Sequence, residues 1–241
     1  YLVTQKVDPN KINYIIYTKG SLVNQSDKNM PYYIQHKFGF SNAIVFSLEQ
    51  ECCTSLLAVN ILDMLLKQDG SGKGIILTSN FFPTLESRLM GLFVVSDAVG
   101  LIEMSYEDHG FEIIYFDSTT DGSITNAQDF TNQAEKVVSV GANLILKTLY
   151  KNSLTIEDVF SIIPQNTNLS GWNAYFEKLC MAPEKLFKDN FGWLGHWGDV
   201  DFVRNITDIH QSKVQAPIDS VFLAYALGTG TSLDVLLLKN K

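Results

Sequence analysis

Charge is scarce in this chain. Asp, Glu, Lys and Arg make up 18% of the 241 residues, against 46% hydrophobic. A soluble domain usually carries about a quarter of charged residues, so much of this chain lies inside a core or a subunit interface. Its net charge is −8, and no Lys/Arg-rich run offers the footprint that nucleic acid needs. Long apolar runs are missing too. They are broken by polar residues, as in LDMLLKQDG (62–70). None reaches membrane-spanning length or has the anatomy of a signal peptide. The three cysteines, Cys52, Cys53 and Cys180, do not make a disulfide framework, and adjacent cysteines rarely pair with each other. A reducing, cytoplasmic setting is expected, and the sequons at Asn24, Asn168 and Asn205 are then chance matches. Histidines are too few and scattered for a zinc site, and no CxxC occurs. No metal and no cofactor are expected.

What is present alternates between strand and helix signals. A turn, VDPN, leads into an apolar strand at Tyr14–Thr18. A short helix follows and stops at Gly39, then a strand from Ala43 to Leu48. Thr54–Lys67 is apolar on nearly every face, the mark of a buried helix. GIILTSN reads as a strand. GLFVVSDAVGLIEMS and GFEIIYFDS read as two more, expected as antiparallel neighbours. A polar connection, Ser118–Ala127, leads to a long helix ending near Tyr150. Then LTIEDVFSIIPQ repeats the pattern of VDPNKINYIIYT: an acidic turn, an apolar strand, a polar loop. That recurrence points to an α/β chain of two duplicated, βαβ-rich halves around one core, the first spanning residues 1–125 and the second 126–241.

Four stretches carry chemistry-bearing residues. In QECCTSLLAV, Cys52 and Cys53 precede the buried helix. A thiol there gains from the helix N-terminus and its unpaired N–H groups, though Glu49 and Glu51 oppose a thiolate. Small buried side chains are the plainer reading, and the pattern alone leaves both open. In GWLGHWGDVD, His196 lies between glycines with Asp199 and Asp201 following. It is either a general base with a carboxylate beside it or a packing residue between Trp193 and Trp197. IIPQNTN ends a strand and presents Gln165, Asn166 and Asn168, which are carbonyl donors or an ordinary Asn-rich turn. GTGT (228–231) permits a hairpin or a close backbone approach to a ligand. GSGKG (70–74) lacks phosphate-loop spacing and follows a helix, so it reads as a turn. His36, His109 and His210 have no partner pattern.

Taken in order, these stretches resemble the thiolase-fold condensing enzymes, the ketoacyl-acyl-carrier-protein synthase III group in particular. FSLEQECCTSLLAV is similar to the nucleophile motif of that group, with Cys52 as nucleophile and Ala58 at its matched alanine. VVSDAVGLIEM resembles the GDGAGA strand pair, with Asp97 at the acidic position. IIPQNTN resembles the PHQAN loop, and GWLGHWGDVD the loop that carries Asn. ALGTGTSLDVLLL resembles the closing glycine turn and strand. The resemblance implies a thiolase-like fold in α-β-α-β-α layers. It also implies that the opening strand and helix are absent, so that the chain starts partway in. One exchange stands out. The His of PHQAN is Gln165, and a His, His196, stands where the second loop has Asn. The thiolase branch also carries an amide on the first loop and a GHP His on the second. Its second cysteine, on the closing loop, has no counterpart, and Cys180 falls within a predicted helix.

The resemblance implies an acyltransferase. Cys52 takes an acyl group from acyl-CoA or an acyl-carrier-protein thioester. The N–H of Cys52 and the backbone near Thr229 form the oxyanion hole. His196 is the general base, oriented by Asp199 or Asp201, and Gln165 or Asn168 supplies a further donor. The acyl group passes to a small nucleophile or a second acyl chain. Plain acyl transfer is preferred over decarboxylative condensation because the decarboxylating His is missing. The alternative is a degenerate subunit that supports an active partner. A homodimer, or a heterodimer with a related subunit, is implied, paired through the strand Ala43–Leu48. Its apolar residues Ile44, Phe46 and Leu48 fit a buried interface.

Overall fold

In a computed structural model, residues 2, 4–19, 29–91, 93–106, 110–125, 130–211, 216–228 and 232–241 are described. The first half opens with a 3-10 turn at Pro9–Lys11 and strand β1 (Ile12–Lys19). Helix α1 (Met30–Phe38), strand β2 (Ile44–Leu48), helix α2 (Thr54–Asp69) and strand β3 (Lys73–Asn80) follow. Next come the short α3 (Leu85–Arg88), β4 (Leu89–Met90), β5 (Phe93–Val94) and β6 (Ala98–Ser105). Then come β7 (Phe111–Thr120), α4 (Phe130–Lys151), β8 (Val159–Ile163), α5 (Trp172–Leu179), α6 (Val200–Gln211), β9 (Val221–Leu227) and β10 (Ser232–Asn240).

Two four-stranded sheets result, ordered β2-β1-β3-β6 and β7-β10-β9-β8. Three strands of each correspond: β1 with β8, β3 with β9 and β6 with β10. In the first, β1 is parallel to β2 and β3, and β3 is antiparallel to β6. In the second, β8 is parallel to β9, and β9 is antiparallel to β10. A parallel bridge between Ile162 and Leu186 stands where β2 stands beside β1. Both β1 and β8 are entered through a capped 3-10 turn. Asp8 accepts from the Asn10 N–H, and Asp158 accepts from the Thr155 N–H. The recurrence read between residues 7–18 and 154–165 is therefore real at the level of topology.

One sequence expectation fails. β6 and β7 are not neighbours: β6 pairs with β3 and β7 with β10, in different sheets. Alternating apolar residues give a strand and its faces, but not which sheet it joins. The first sheet ends in chain order with β6 and the second begins with β7. The stretch 91–105 is also broken, with β5 and β6 separated by the turn that carries Asp97.

The layers follow from which face each strand buries. Ile15 and Ile75 pack outward with Phe40 and Ile34 near α1. Tyr14, Ile16 and Ile76 pack inward against Leu56, Leu62 and Leu66 of α2 and Phe202 of α6. A bulge between Ile12 and Tyr14 puts Ile12 on the same outward face as Ile15. On β10 the faces alternate with period two. Leu236 and Leu238 join the central layer, whereas Leu233, Val235 and Leu237 pack outward with α4 and α5. The order is α1, first sheet, α2 with α6, second sheet, α4 with α5. Helix α2 lies between both sheets, which is why it is apolar nearly all round. It ends at Gly70, whose φ of +67° carries a left-handed cap on the Leu66 carbonyl. The strand Ile44–Leu48 is a sheet edge, and Ile44 is 61% exposed.

Candidate active site

Cys52 sits in a 3-10 turn, Glu51–Cys53, between β2 and the first turn of α2. Glu51 has φ +55°, a left-handed backbone rare for a residue with a side chain. Such strain lets the chain reverse at once from strand to helix and point residue 52 sideways. The two cysteines then part company. Cys53 is fully buried, its Sγ 3.0 Å from the Gln50 carbonyl. Burial first, then the charge of Asp234, holds the Cys53 thiol far above the usual range. Cys52 instead lines the cavity described below and hydrogen-bonds the ring of His196.

His196 comes from the loop before α6. Gly195 and Gly198, at φ +73° and +58°, turn the chain on either side of it. A side chain at 198 would strike the Asn80 carboxamide. The backbone of His196 is clamped to β5 and the residues just after it: its N–H donates to Val94 O at 2.8 Å, and its carbonyl accepts from Ser96 N–H at 2.9 Å. The ring is 2% exposed, and Nδ1 lies 2.5 Å from Asp201 Oδ2. With Nδ1–H committed to the carboxylate, Nε2 is the nitrogen left for Cys52. Burial works against charge on the ring. The Asp201 charge and hydrogen bond, with Cys52 adding to them, outweigh it and lift the imidazole to about 10.

The structure separates the two candidate orienters. Asp201 touches the ring, and also accepts from the N–H groups of Asn166 (2.7 Å) and Trp197 (2.9 Å). Asp199, two residues earlier, accepts from Thr18 Oγ1 at 2.5 Å and Asn80 Nδ2 at 3.1 Å. Burial pushes the Asp199 carboxyl up to about 7, against those two hydrogen bonds.

Gln165, on the loop after β8, uses its carboxamide on backbone. Nε2 donates to Cys52 O at 2.8 Å and Leu227 O at 3.1 Å, and Oε1 accepts from Leu227 N–H at 2.9 Å. It faces the same cavity as Cys52 with both amide hydrogens committed. Asn168 also lines the cavity. Its Oδ1 caps the next turn, accepting from Ser170 N–H (2.9 Å) and Oγ (2.7 Å). Thr229 lies outside the described residues. Gly228 does not: its N–H donates to Ser232 O, and a side chain there would press on Gln50 O and Cys53 Sγ. Asp97 lies outside the site, paired with Arg88 at 2.6 Å. Cys180 is the exposed left-handed cap of α5, at φ 48°, not an interior helical residue. Two residues that the sequence reading left out of the site belong to its scaffold. The buried Asn190 and Asn205 join Asn166 behind Asp201. Only a helical period placing Asn205 four residues after Asp201 hinted at this.

Cys52 and His196 open onto a cavity of about 420 Å³, the size of a small-molecule site. Its walls are mostly apolar: Ile124, Val137, Val138 and Leu227, with Phe93 and Met90 at one side. Trp172, Tyr175 and Tyr225 stack there with ring centroids 4.9–5.9 Å apart. Phe93 meets the His196 ring edge-on at 5.3 Å. An apolar tail fits this space, with a carbonyl held at the thiol end. Among the described residues no cluster of His, Cys, Asp and Glu is arranged to hold a metal ion, and no helix is long and apolar enough to cross a membrane.

No protein-family model and no curated protein match the chain. Solved structures do. The acyltransferase ChlB3 superposes with a TM-score of 0.86 at 14% identity, over 99% of this chain and 80% of its own. The 3-oxoacyl-[acyl-carrier-protein] synthase III from Aquifex aeolicus gives 0.81 at 17%, over 99% and 80%. Xanthomonas campestris OleA, bound to cerulenin, gives 0.77 at 11%, over 99% and 78%. The chain has the thiolase fold, in the arrangement of the synthase III structures.

Proposed function

We propose that the protein is an acyltransferase of the ketosynthase III type, which carries an acyl group on Cys52 as a thioester. One observation carries this reading: a Cys52–His196–Asp201 relay, buried at the end of a mostly apolar cavity. A nucleophile, a base and a group that orients the base are the parts that covalent acyl transfer requires. The acyltransferase and synthase structures that share the fold support it.

The steps follow from the geometry. Asp201 stabilises the imidazolium, so His196 can take the Cys52 proton and release the sulfur as thiolate for attack. The thiolate attacks the carbonyl of an acyl-CoA or acyl-carrier-protein thioester. The oxyanion is assigned to the N–H of Cys52, at the start of the helical turn. The tetrahedral intermediate collapses, the C–S bond to the donor breaks, and the imidazolium gives its proton to the leaving thiol. Having given up its proton, neutral His196 can accept one from an incoming nucleophile. That nucleophile attacks the acyl carbonyl, Cys52 leaves as thiolate, and the imidazolium is restored.

Plain acyl transfer is favoured over decarboxylative condensation. An enolate needs a free donor where the family's first loop carries its His, and both amide hydrogens of Gln165, which stands there, are committed to Cys52 O and Leu227 O. Gln165 is then a brace for the nucleophile turn, and Asn168 a wall and turn cap. Pairing into a dimer through β2 is part of the same proposal, since that strand ends its sheet with Ile44 turned to solvent.

Intact-protein mass after incubation with a panel of acyl-CoAs and acyl-carrier thioesters tests the reading. Wild type and Cys53→Ala are expected to gain an acyl mass and Cys52→Ala none. A chain that no donor loads is the supporting subunit instead.

A further inference from the structure

Asp201 orients His196, but the carboxylate is itself held from behind. Asn166 reaches it twice, by its backbone N–H to Oδ2 at 2.7 Å and by Nδ2 to Oδ1 at 3.3 Å. The Asn166 carboxamide is in turn paired with that of Asn205. Asn166 Nδ2 donates to Asn205 Oδ1 at 3.2 Å, and Asn205 Nδ2 donates back to Asn166 Oδ1 at 3.0 Å. Asn205 also donates to Pro164 O at 2.8 Å and accepts from Asn190 Nδ2 at 2.9 Å. Its two hydrogens and two lone-pair sites are all used. Asn190 ends the series by donating to Asp208 Oδ2, which takes Arg204 Nε at the surface.

We propose that Asn205 is a positioning residue: through Asn166 it fixes the Asp201 carboxylate against His196 and so governs the acid–base behaviour of the site. The inference rests on the thiol chemistry proposed for Cys52.

The orientation of the amides is not arbitrary. Turning the Asn205 carboxamide over would set its NH2 against those of Asn166 and Asn190, donor facing donor. Asn205 and Asp201 are 0% exposed, so water offers no replacement partner. Asp201 and Asn205 sit one turn apart on α6, while Asn166 comes from the loop after β8. The amide pair therefore locks two elements together at the one carboxylate that touches the base. The titratable groups that act on the ring are Asp201, Cys52 and Asp199, and the ladder holds the first of these alone. Because Asn205 touches neither sulfur nor ring, its influence is indirect. It sets where the Asp201 carboxylate sits against the ring.

The test is alkylation of Cys52 by iodoacetamide across pH, read by intact mass in the full chain with the exposed Cys180 replaced by Ser. It needs no knowledge of the acyl donor. In wild type, alkylation at about pH 6 is expected to be fast and to be lost in His196→Ala. In Asn205→Ala it is expected to fall roughly tenfold at about pH 6 and to recover at alkaline pH, the signature of a one-unit shift. Asn190→Ala removes the outer rung alone and is expected to shift the profile less, in the same direction. If folded Asn205→Ala follows the wild-type profile, Asn205 is structural only and the inference is overturned. Should Asn205→Ala not fold, an unmoved Asn190→Ala profile overturns it. If wild type and His196→Ala coincide, the Cys52–His196 reading fails first and this inference with it.

Discussion

Gln165 donates a hydrogen bond to the carbonyl of Cys52 at 2.8 Å, although the two residues lie 113 apart in the chain. The same carboxamide grips Leu227 through both its N–H and its carbonyl. One side chain thus ties the Cys52 turn to the end of β9 and to the loop that carries Asn166.

Gln165→Ala is expected to destabilise the fold by about 1–3 kcal/mol, the cost of leaving part-buried backbone groups unpaired. It is also expected to slow acylation of Cys52. Gln165→Glu keeps the shape but cannot donate to either carbonyl, so it is expected to fail as Ala does. Thermal melts and single-turnover loading check both. Wild-type loading in either variant means that the brace is dispensable.

Val138→Trp fills the cavity from α4. Loading with long-chain donors is expected to drop at least about tenfold, since a well-packed site has no room to give. Alkylation of Cys52 by iodoacetamide should be unchanged. Comparing acyl-CoAs of increasing length separates the two effects, and a uniform loss at every length places the acyl tail elsewhere.

Asp199 carries a pH signature distinct from that of Asp201. Burial raises its folded value from 3.8 to about 7. Its contribution to stability is full below the unfolded value and is lost as pH rises through the folded one. Wild-type melting temperature should therefore include a decline from about pH 4 to about pH 7 that Asp199→Asn lacks. Asp234, raised by burial to about 6, keeps a shallower decline in both proteins. Parallel curves for the two proteins would show that Asp199 ionises normally in the fold.

Ile44→Glu puts a charge on the outer edge strand. Light scattering is expected to show a dimer in wild type and a monomer in the variant, because a charged edge resists strand pairing. A dimer that survives the substitution uses another surface.

Much of this was legible in the sequence, and the limits have physical reasons. The turn that carries Cys52 could be read because strand, sharp turn and buried helix are contiguous from Ala43 to Lys67, and Gly195 and Gly198 marked the His196 loop as an unusual backbone. Asp199 and Asp201 could not be ranked. Two residues apart at the start of a helix they point in different directions, one to Thr18 of β1 and one to His196, and only the assembled sheets decide which meets the ring. The amide ladder was invisible for the same reason: Asn166 and Asn205 lie 39 residues apart and meet through packing alone. β7 was misplaced because an alternating pattern specifies a strand without naming its partner.

The central claim is that His196, held by Asp201, activates Cys52. The most direct measurement is the single-turnover rate at which an acyl thioester loads Cys52 in wild type, His196→Ala and Asp201→Asn. The account predicts losses on the order of 10²–10⁴ in both variants, the usual worth of a positioned acid–base group and of the residue that orients it, with Asp199→Asn close to wild type. Loading at the wild-type rate in His196→Ala, or an equal loss in Asp199→Asn and Asp201→Asn, would contradict it.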